Sequence, residues 1–355
     1  MAELLGLFKE ELSELLSGMG EKNFRAQQVF DWLQKGATFP EMRNIPNSLK
    51  ERLAAEHVDQ SVTIREAVHS AVDDTVKYLY ELRDGNCIEG VLMHYHYGYS
   101  LCVSTQVGCR MGCAFCASTL DGKVRNLSAA EILGQVVAVQ RTLEGERISH
   151  IVLMGSGEPL DNYDAVVRFL RLVSAENGLN VSLRHISLST CGLVPQMYRF
   201  ADEKLPVTLS LSLHAPNDEI RRQLMPVSKT YTIGETLDAC KNYIQKTGRR
   251  VIFEYALIRN VNSDPACARE LAGRIRGMQC HVNLIPLNEV KERGLKGVSE
   301  AQVRHFLEAL EKRHISVTRR REMGDDIDGA CGQLRRKTIM ASQGEKKDAE
   351  EFQDQ

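Results

Sequence analysis

Three thiols fall within eight residues, at Cys109-Arg-Met-Gly-Cys113-Ala-Phe-Cys116. A loop of that length can wrap one polynuclear centre. A conventional four-iron cluster takes four cysteines. Three close thiolates would leave one iron open to an outside ligand. The competing chemistry is zinc with a fourth ligand from elsewhere, although zinc modules usually show paired Cys-x-x-Cys or Cys/His spacing. The other seven cysteines are scattered, and single cysteines are commonly small buried apolar residues.

Other residues carry weaker signals. In Met154-Gly-Ser-Gly-Glu-Pro-Leu160 the glycines would let a ligand approach the backbone, and Glu158 could accept bonds from an ammonium group. A tight strand-to-helix turn needs glycine in any case. Cys331 sits in a glycine-flanked stretch, Asp328-Gly-Ala-Cys-Gly-Gln333, that could swing. Arg319, Arg320, Arg321 and Arg335 would favour its thiolate if they lie close in space. On residues alone, Cys331 reads equally as a structural cysteine in a turn. Cys102 reads as a core residue and Glu89 as a solvent-facing strand residue, while His214 stands at a strand's active end, with a hydrogen-bonded structural histidine as the alternative. The stretch from Arg313 to Lys337 carries a net +3. With Lys123, Arg125, Arg221 and Arg222 it could meet phosphates, or be an ordinary solvated surface.

These residues need a scaffold. The chain has 355 residues, 43% of them apolar, enough for one large α/β domain with smaller additions. No run of 18 apolar residues spans a membrane. Met1 to Met19 lacks the basic start and apolar stretch of a secretion signal, so a cytoplasmic protein is expected. The chain is too large to need disulfide stapling. The net charge of −2 argues against a general nucleic-acid coat. Residues 338–355 read as a disordered tail, acidic from Gly344 onward.

Residues 1–60 read as a helical module, with Asn23 as an N-cap before Val29, Trp32 and Leu33. Residues 61–98 read as a β-ribbon linker. There Val76, Tyr78, Tyr80 and Leu82 alternate, Asp84-Gly85 turns, and Ile88, Val91 and Met93 return. From residue 99 to 337 the pattern becomes strand, loop, helix, repeated. Strands are expected at Ser100–Ser104, His150–Met154, His185–Ser189, Thr208–Leu213, Val251–Leu257 and His281–Pro286. Helices are expected at Ala129–Leu143, Tyr163–Ser174, Pro195–Asp202, Ile233–Lys246, Pro265–Arg276 and Ser299–Arg313. Six βα units imply an α/β fold with a parallel sheet, either a barrel-like arc or a doubly wound sheet. In both, active sites lie at the carboxyl ends of the strands.

The Cys-x-x-x-Cys-x-x-Cys group after the first of six βα strands resembles the radical S-adenosylmethionine (SAM) superfamily. Further runs sharpen the likeness: Val103-Ser-Thr-Gln-Val-Gly-Cys109, Met154 to Leu160, Ser210-Leu-Ser-Leu-His214, Asn283-Leu-Ile-Pro-Leu-Asn288 and Gly324 to Leu334. Together, over roughly residues 1–337, they resemble the RlmN/Cfr family of RNA adenine methyltransferases, and within it the adenine-C2 enzymes. One departure is Gly329, where the family usually has alanine.

That resemblance implies a partial (β/α)6 TIM-like barrel with an N-terminal RNA-binding helical module and a C-terminal catalytic-cysteine loop. It implies one 4Fe-4S cluster on Cys109, Cys113 and Cys116, with SAM on the open iron. Gly157, Glu158, Ser189, Ser212, Leu213, His214 and Asn288 would contact SAM. Cys331 would take a methyl group from one SAM, and a radical from a second would activate that methyl to add to adenine C2. Cys102 would release the product by forming a transient disulfide with Cys331, and Glu89 would accept the C2 proton. The implied substrates are 23S rRNA, at the peptidyl-transferase loop, and tRNA, 3′ of the anticodon. An external electron donor of flavodoxin or ferredoxin type is implied, and the chain is taken as a monomer. The alternatives are the family's adenine-C8 enzymes, which confer antibiotic resistance, and a non-catalytic zinc- and RNA-binding protein.

Overall fold

The computed structural model describes residues 1–327. Cys331, Gly329, Arg335 to Lys337 and the 338–355 segment lie outside the described residues.

One ten-stranded sheet organises the chain. Its strands are β1 (Val62–His69), β2 (Val76–Leu82), β3 (Cys87–Tyr95), β4 (Gly98–Cys102), β5 (Ile148–Leu153), β6 (Ile186–Thr190), β7 (Thr208–Ser212), β8 (Val251–Leu257), β9 (Cys280–Pro286) and β10 (Val317–Arg319). They lie side by side in chain order. From β4 to β10 every neighbouring pair is parallel, whereas β1 to β4 pair antiparallel. Each strand from β4 to β9 is followed by a main helix: α4 (Ala129–Gln140), α5 (Tyr163–Val173), α6 (Val194–Asp202), α8 (Ile233–Thr247), α9 (Pro265–Ile275) and α10 (Glu300–Glu311). This is a partial (β/α)6 barrel, whose sheet, among the described residues, ends at β1 on one side and β10 on the other.

Local chemistry sets the boundaries. Ser128, Thr232 and Ser299 each cap a helix by accepting the N–H three residues on, and an acid or amide there returns a bond. Pro265 sits in the first turn of α9 behind an Asp264 cap. The N-terminal helices α1 (Lys9–Gly18), α2 (Phe24–Gln34) and α3 (Asn47–Glu56) share one apolar core with the barrel: Leu5, Leu12 and Phe30 belong with Ala130 and Val166. Val29 and Leu33 are buried as the periodicity predicts. Asn23 does not cap α2; its own backbone is helical (φ −52°, ψ −34°) and its side chain makes no cap bond.

Three features depart from the sequence expectation. The 61–98 ribbon is part of the barrel sheet, because β3 pairs with β4. In consequence every side chain from Val76 to Tyr80 is buried, instead of alternating with water. The edge strand β1 and the short strand β10 carry too few buried apolar residues to announce themselves. Finally, a seven-residue helix, α7 (Asp218–Leu224), capped by Asn217, stands between β7 and α8 where a loop was expected.

Candidate active site

The cysteine-bearing loop is closed at its base. Gln106–Gly108 pairs antiparallel with Lys123–Asn126, and Cys109 N–H donates to Gly122 C=O (3.0 Å). Ala114 N–H donates to Leu224 C=O (2.8 Å), tying the loop to the end of α7. Cys109, Cys113 and Cys116 all line one cavity of about 270 Å3 at the carboxyl ends of the barrel strands. Met111, Phe115, Ala117 and Met225 give it an apolar lining on the cysteine side. Burial pushes the Cys109 thiol up to about 12 and raises those of Cys113 and Cys116 as well. The Met111 and Ser118 N–H groups oppose this by bonding the sulfurs of Cys109 and Cys116.

Such thiols ionise when a metal displaces their protons. Among the described residues, no three His, Cys, Asp or Glu side chains gather as a single-ion site. A four-iron cluster spreads its thiolates over different irons and so fits this open trio. N–H donors aimed at sulfur and an apolar wall are the surroundings in which such clusters are held.

Six of the seven residues expected to contact SAM, all but Leu213, line the same cavity beside the cysteines. Gly157 has φ +111°, and a Cβ there would lie 2.7 Å from Gln106 Cβ, so only glycine fits. Glu158 is buried and its carboxylate is already engaged: Oε1 accepts from Leu160 N–H (3.1 Å) and Oε2 from Cys191 N–H (2.7 Å). Burial raises its carboxyl, against these bonds and those of the Thr190 and Cys191 side chains. Its visible work is tying the β5 and β6 ends together, rather than waiting for an ammonium group. Ser189 and Ser212 meet across neighbouring strands, Oγ to Oγ 3.4 Å.

His214 adopts a left-handed backbone (φ +54°) and is 4% exposed. Its Nδ1 accepts from Ala256 N–H (2.9 Å), so the proton sits on Nε2. Burial, helped by Arg221, lowers the ring's pKa to about 3. Phe115 of the cysteine loop packs edge-on against it, centroids 4.6 Å apart. Asn288 lines the cavity mouth. Leu213 does not: its side chain is fully buried in the core, and its N–H donates to Glu254 C=O (3.1 Å).

A second cavity of about 330 Å3 adjoins the first, sharing Met154, Gly155, Ile285, Pro286, Asn288 and Arg320. Glu89 and Cys102 line it together. Glu89 is 2% exposed and paired with the fully buried Lys77 (3.4 Å), not solvent-facing. Burial pushes the Cys102 thiol up to about 11, opposed by Arg320 and by the Met154 N–H. Cys331, the third member of the expected catalytic set, lies outside the described residues.

Several basic residues expected to meet phosphate are otherwise occupied. Arg125 holds Glu131 through both terminal nitrogens (2.8 Å each) and Asp84 through Nε (2.6 Å). Lys123 pairs with Asp161 (2.9 Å) and Arg319 with Glu300. Arg221 is wholly buried. Arg222 and Arg321 remain exposed, and Arg321 lines the second cavity.

Glu254 went unremarked in the sequence, and Arg320 was named there only as a neighbour for the Cys331 thiolate. Glu254 lines the first cavity, its Oε2 accepting from Asn283 Nδ2 (2.8 Å), while burial raises its carboxyl against the pull of Arg320. A signal existed: Glu254 is the only charge within the apolar strand Val251–Leu257. Among the described residues, no helix is long and apolar enough to cross a membrane.

Comparisons with known proteins show the family of the chain. Residues 103–268 match the model of the radical SAM superfamily, and residues 2–58 match the ribosomal RNA large subunit methyltransferase N-terminal domain. The chain is 55% identical over 339 residues to a probable dual-specificity RNA methyltransferase RlmN of Alkaliphilus oremlandii, covering 95% of this chain and 98% of that protein. It is 49% identical over 345 residues to one of Clostridium acetobutylicum, covering 97% and 100%. The crystal structure of a radical SAM methyltransferase from Sphaerobacter thermophilus superposes with a TM-score of 0.91 at 42% identity, covering 94% of this chain and 99% of that one.

Proposed function

The chain belongs to the RlmN family of radical SAM RNA methyltransferases, and from that premise we propose that it methylates C2 of adenine in 23S rRNA and in tRNA through a methyl-cysteine intermediate. The observation that carries the reading is the junction of the two cavities. The thiol trio and the strand-end residues line one, and Glu89 and Cys102 line the other, through shared walls.

Adenine C2 is an electron-poor carbon with no lone pair to offer an ordinary methyl donor. Cys109, Cys113 and Cys116 would hold a four-iron cluster, which together with SAM would supply the radical chemistry that such a carbon requires. The chain's own residues do the rest. Gly157 admits the ligand to the backbone, and Ser189, Ser212 and Asn288 offer polar contacts beside it. His214, neutral with its proton on Nε2, donates without adding charge. Glu158 is assigned here to fix the strand ends that present these groups, and Leu213 to contribute through its backbone alone.

Cys331 carries the methyl group as a thioether. Once the radical adduct has given up its odd electron, for which the oxidised cluster would be the acceptor, ionised Cys102 attacks the sulfur of Cys331; the new S–S bond forms as the bond from sulfur to the product carbon breaks, and that carbon keeps the bonding pair and takes up a proton to become the methyl group. Glu89 accepts the proton lost from C2, with Lys77 beside it balancing the carboxylate. The target base must leave its stack to reach the second cavity, which costs least in a loop. This suits an adenosine in the peptidyl-transferase loop of 23S rRNA and one 3′ of a tRNA anticodon. Residues 1–60 assist RNA binding. An external flavodoxin- or ferredoxin-type protein donates the electrons, and the enzyme works in the cytoplasm as a monomer.

The test is mass spectrometry of nucleosides from rRNA and tRNA treated anaerobically with reconstituted enzyme, reductant and methyl-labelled SAM. Labelled 2-methyladenosine is expected from both RNAs. Labelled 8-methyladenosine would overturn the C2 assignment, and a colourless zinc protein without SAM cleavage would overturn the radical reading.

A further inference from the structure

Among the described residues, Arg221 has the largest of the fully buried side chains. Its partners are unusual for a charged group: Nη2 donates to the carbonyls of Cys191 (2.7 Å) and Ser212 (3.3 Å), Nε to that of Leu213 (3.3 Å), and Nη1 approaches Ser228 Oγ (3.5 Å). No carboxylate bonds it among the described residues. Asp218, one turn before it, accepts instead from Ile233 N–H (2.7 Å). Guanidinium stays protonated in proteins, so the site holds a positive charge without a directly bonded counter-ion. Burying such a charge is costly, and a plain structural brace would not require it.

The surroundings identify what it faces. Arg221 lies on α7, whose last carbonyl holds the Ala114 N–H of the cysteine loop. Cys113, Cys191, Leu224 and Met225 pack as one small cluster around that contact. The guanidinium favours the thiolate form of both Cys113 and Cys191. Other cations lie near the trio: half-buried Arg293 bonds Thr119 Oγ1 (2.7 Å) beside Cys116, and Arg320 lines the cavity, but neither is buried as Arg221 is.

We propose that Arg221 is the buried counter-charge of the iron–sulfur cluster, acting through the Cys113 side of the cysteine loop to make one-electron reduction of the cluster easier. Three thiolates around a four-iron core form an anion, and reduction adds one more negative charge. A fixed positive charge in a water-poor region stabilises the reduced state more than the oxidised one. The carbonyl bonds orient the guanidinium without neutralising it. This inference rests on the proposed cluster at Cys109, Cys113 and Cys116.

The measurement is the cluster's midpoint potential, by anaerobic redox titration followed by electron paramagnetic resonance, on full-length reconstituted enzyme without SAM. Arg221→Gln should bind the cluster's iron and sulfide but show a midpoint more negative than the unmodified enzyme, with Arg221→Lys between the two. Ser228→Asp covers the case in which Arg221→Gln fails to fold. It places a carboxylate beside Nη1, keeps the arginine, and should also move the midpoint negative. A purely structural Arg221 would change melting temperature and cluster content but not the midpoint of the cluster that remains. Unchanged midpoints in the folded variants would overturn the proposal. If the unmodified enzyme yields no reduced-cluster signal, the cluster reading itself falls, which is a separate outcome.

Discussion

Replacing His214 with asparagine should remove about 2 kcal/mol of acid sensitivity from the folded state between pH 7 and pH 5. The ring is 4% exposed, and burial lowers its pKa from 6.5 to about 3. The sign follows from proton binding. Below pH 6.5 the unfolded chain takes up a proton that the folded ring refuses, so stability is complete above that pH and is lost as the pH falls toward 3. The whole interval corresponds to roughly 5 kcal/mol, of which about 2 kcal/mol is already lost at pH 5. Asparagine tolerates the φ of +54° at this position. Its amide oxygen stands near the place of Nδ1 and can keep the Ala256 N–H bond, but it cannot titrate. Urea unfolding of both proteins at pH 7 and pH 5 gives the two losses, and subtraction cancels every other titrating group. Unmodified protein should lose about 2 kcal/mol more than His214→Asn on that shift. Equal losses would mean that the ring is protonated or wet in the folded protein, and the neutral Nε2 donor assigned here would be wrong.

Gly157→Ala should cost about 1–3 kcal/mol of stability, because φ +111° and the Gln106 contact both exclude a Cβ. Isothermal titration should also show SAM affinity lower by about tenfold or more. Lys77→Met leaves the Glu89 carboxylate buried without its cation and should cost about 3–5 kcal/mol in thermal or urea unfolding, and adding Glu89→Gln should recover most of it. With the Cys102 thiol near 11, release of RNA from a preformed covalent adduct should quicken about tenfold per pH unit between pH 7 and pH 9. A flat profile in rapid-quench gels would show that Cys102 is ionised from the outset.

The sequence was most legible where period and spacing carry information over long stretches. Val251–Leu257 is apolar but for one residue and flanked by loops, and it lies in the sheet with those bounds. Ser128, Thr232 and Ser299 mark helix starts by capping chemistry that needs no tertiary contact. Arg221 reads from sequence as a surface charge, free for phosphate or solvent, because α7 has only seven residues, too few for a periodic signal. Without that helix nothing places Arg221 and Leu224 on one inward face. Glu89 and Lys77 were opaque for a different reason. Both lie in the ribbon, and a strand charge reads as wet until the ribbon is known to extend the barrel sheet. Pairing across non-adjacent segments is what a local reading cannot supply, and the second cavity is built from such pairings.

That cavity also explains why an unclosed barrel suits the chemistry. The sheet ends at β10 on one side and β1 on the other, and the segment after β10 crosses toward the ribbon. Gly324 N–H donates to Asp73 (3.0 Å), while the Asp326 carboxylate accepts from Ser70 Oγ (2.6 Å) and Ala71 N–H (2.7 Å), all in the β1–β2 turn. Residues on both sides of the opening, Glu89 and Cys102 from one and Arg320 to Met323 from the other, line the same cavity. The crossing anchors the chain at Ile327, four residues before Cys331. A closed barrel would have filled this opening with paired strands. Leaving it open lets Glu89 and Cys102 share a cavity with a tethered segment, next to the cysteine trio and yet separate from it.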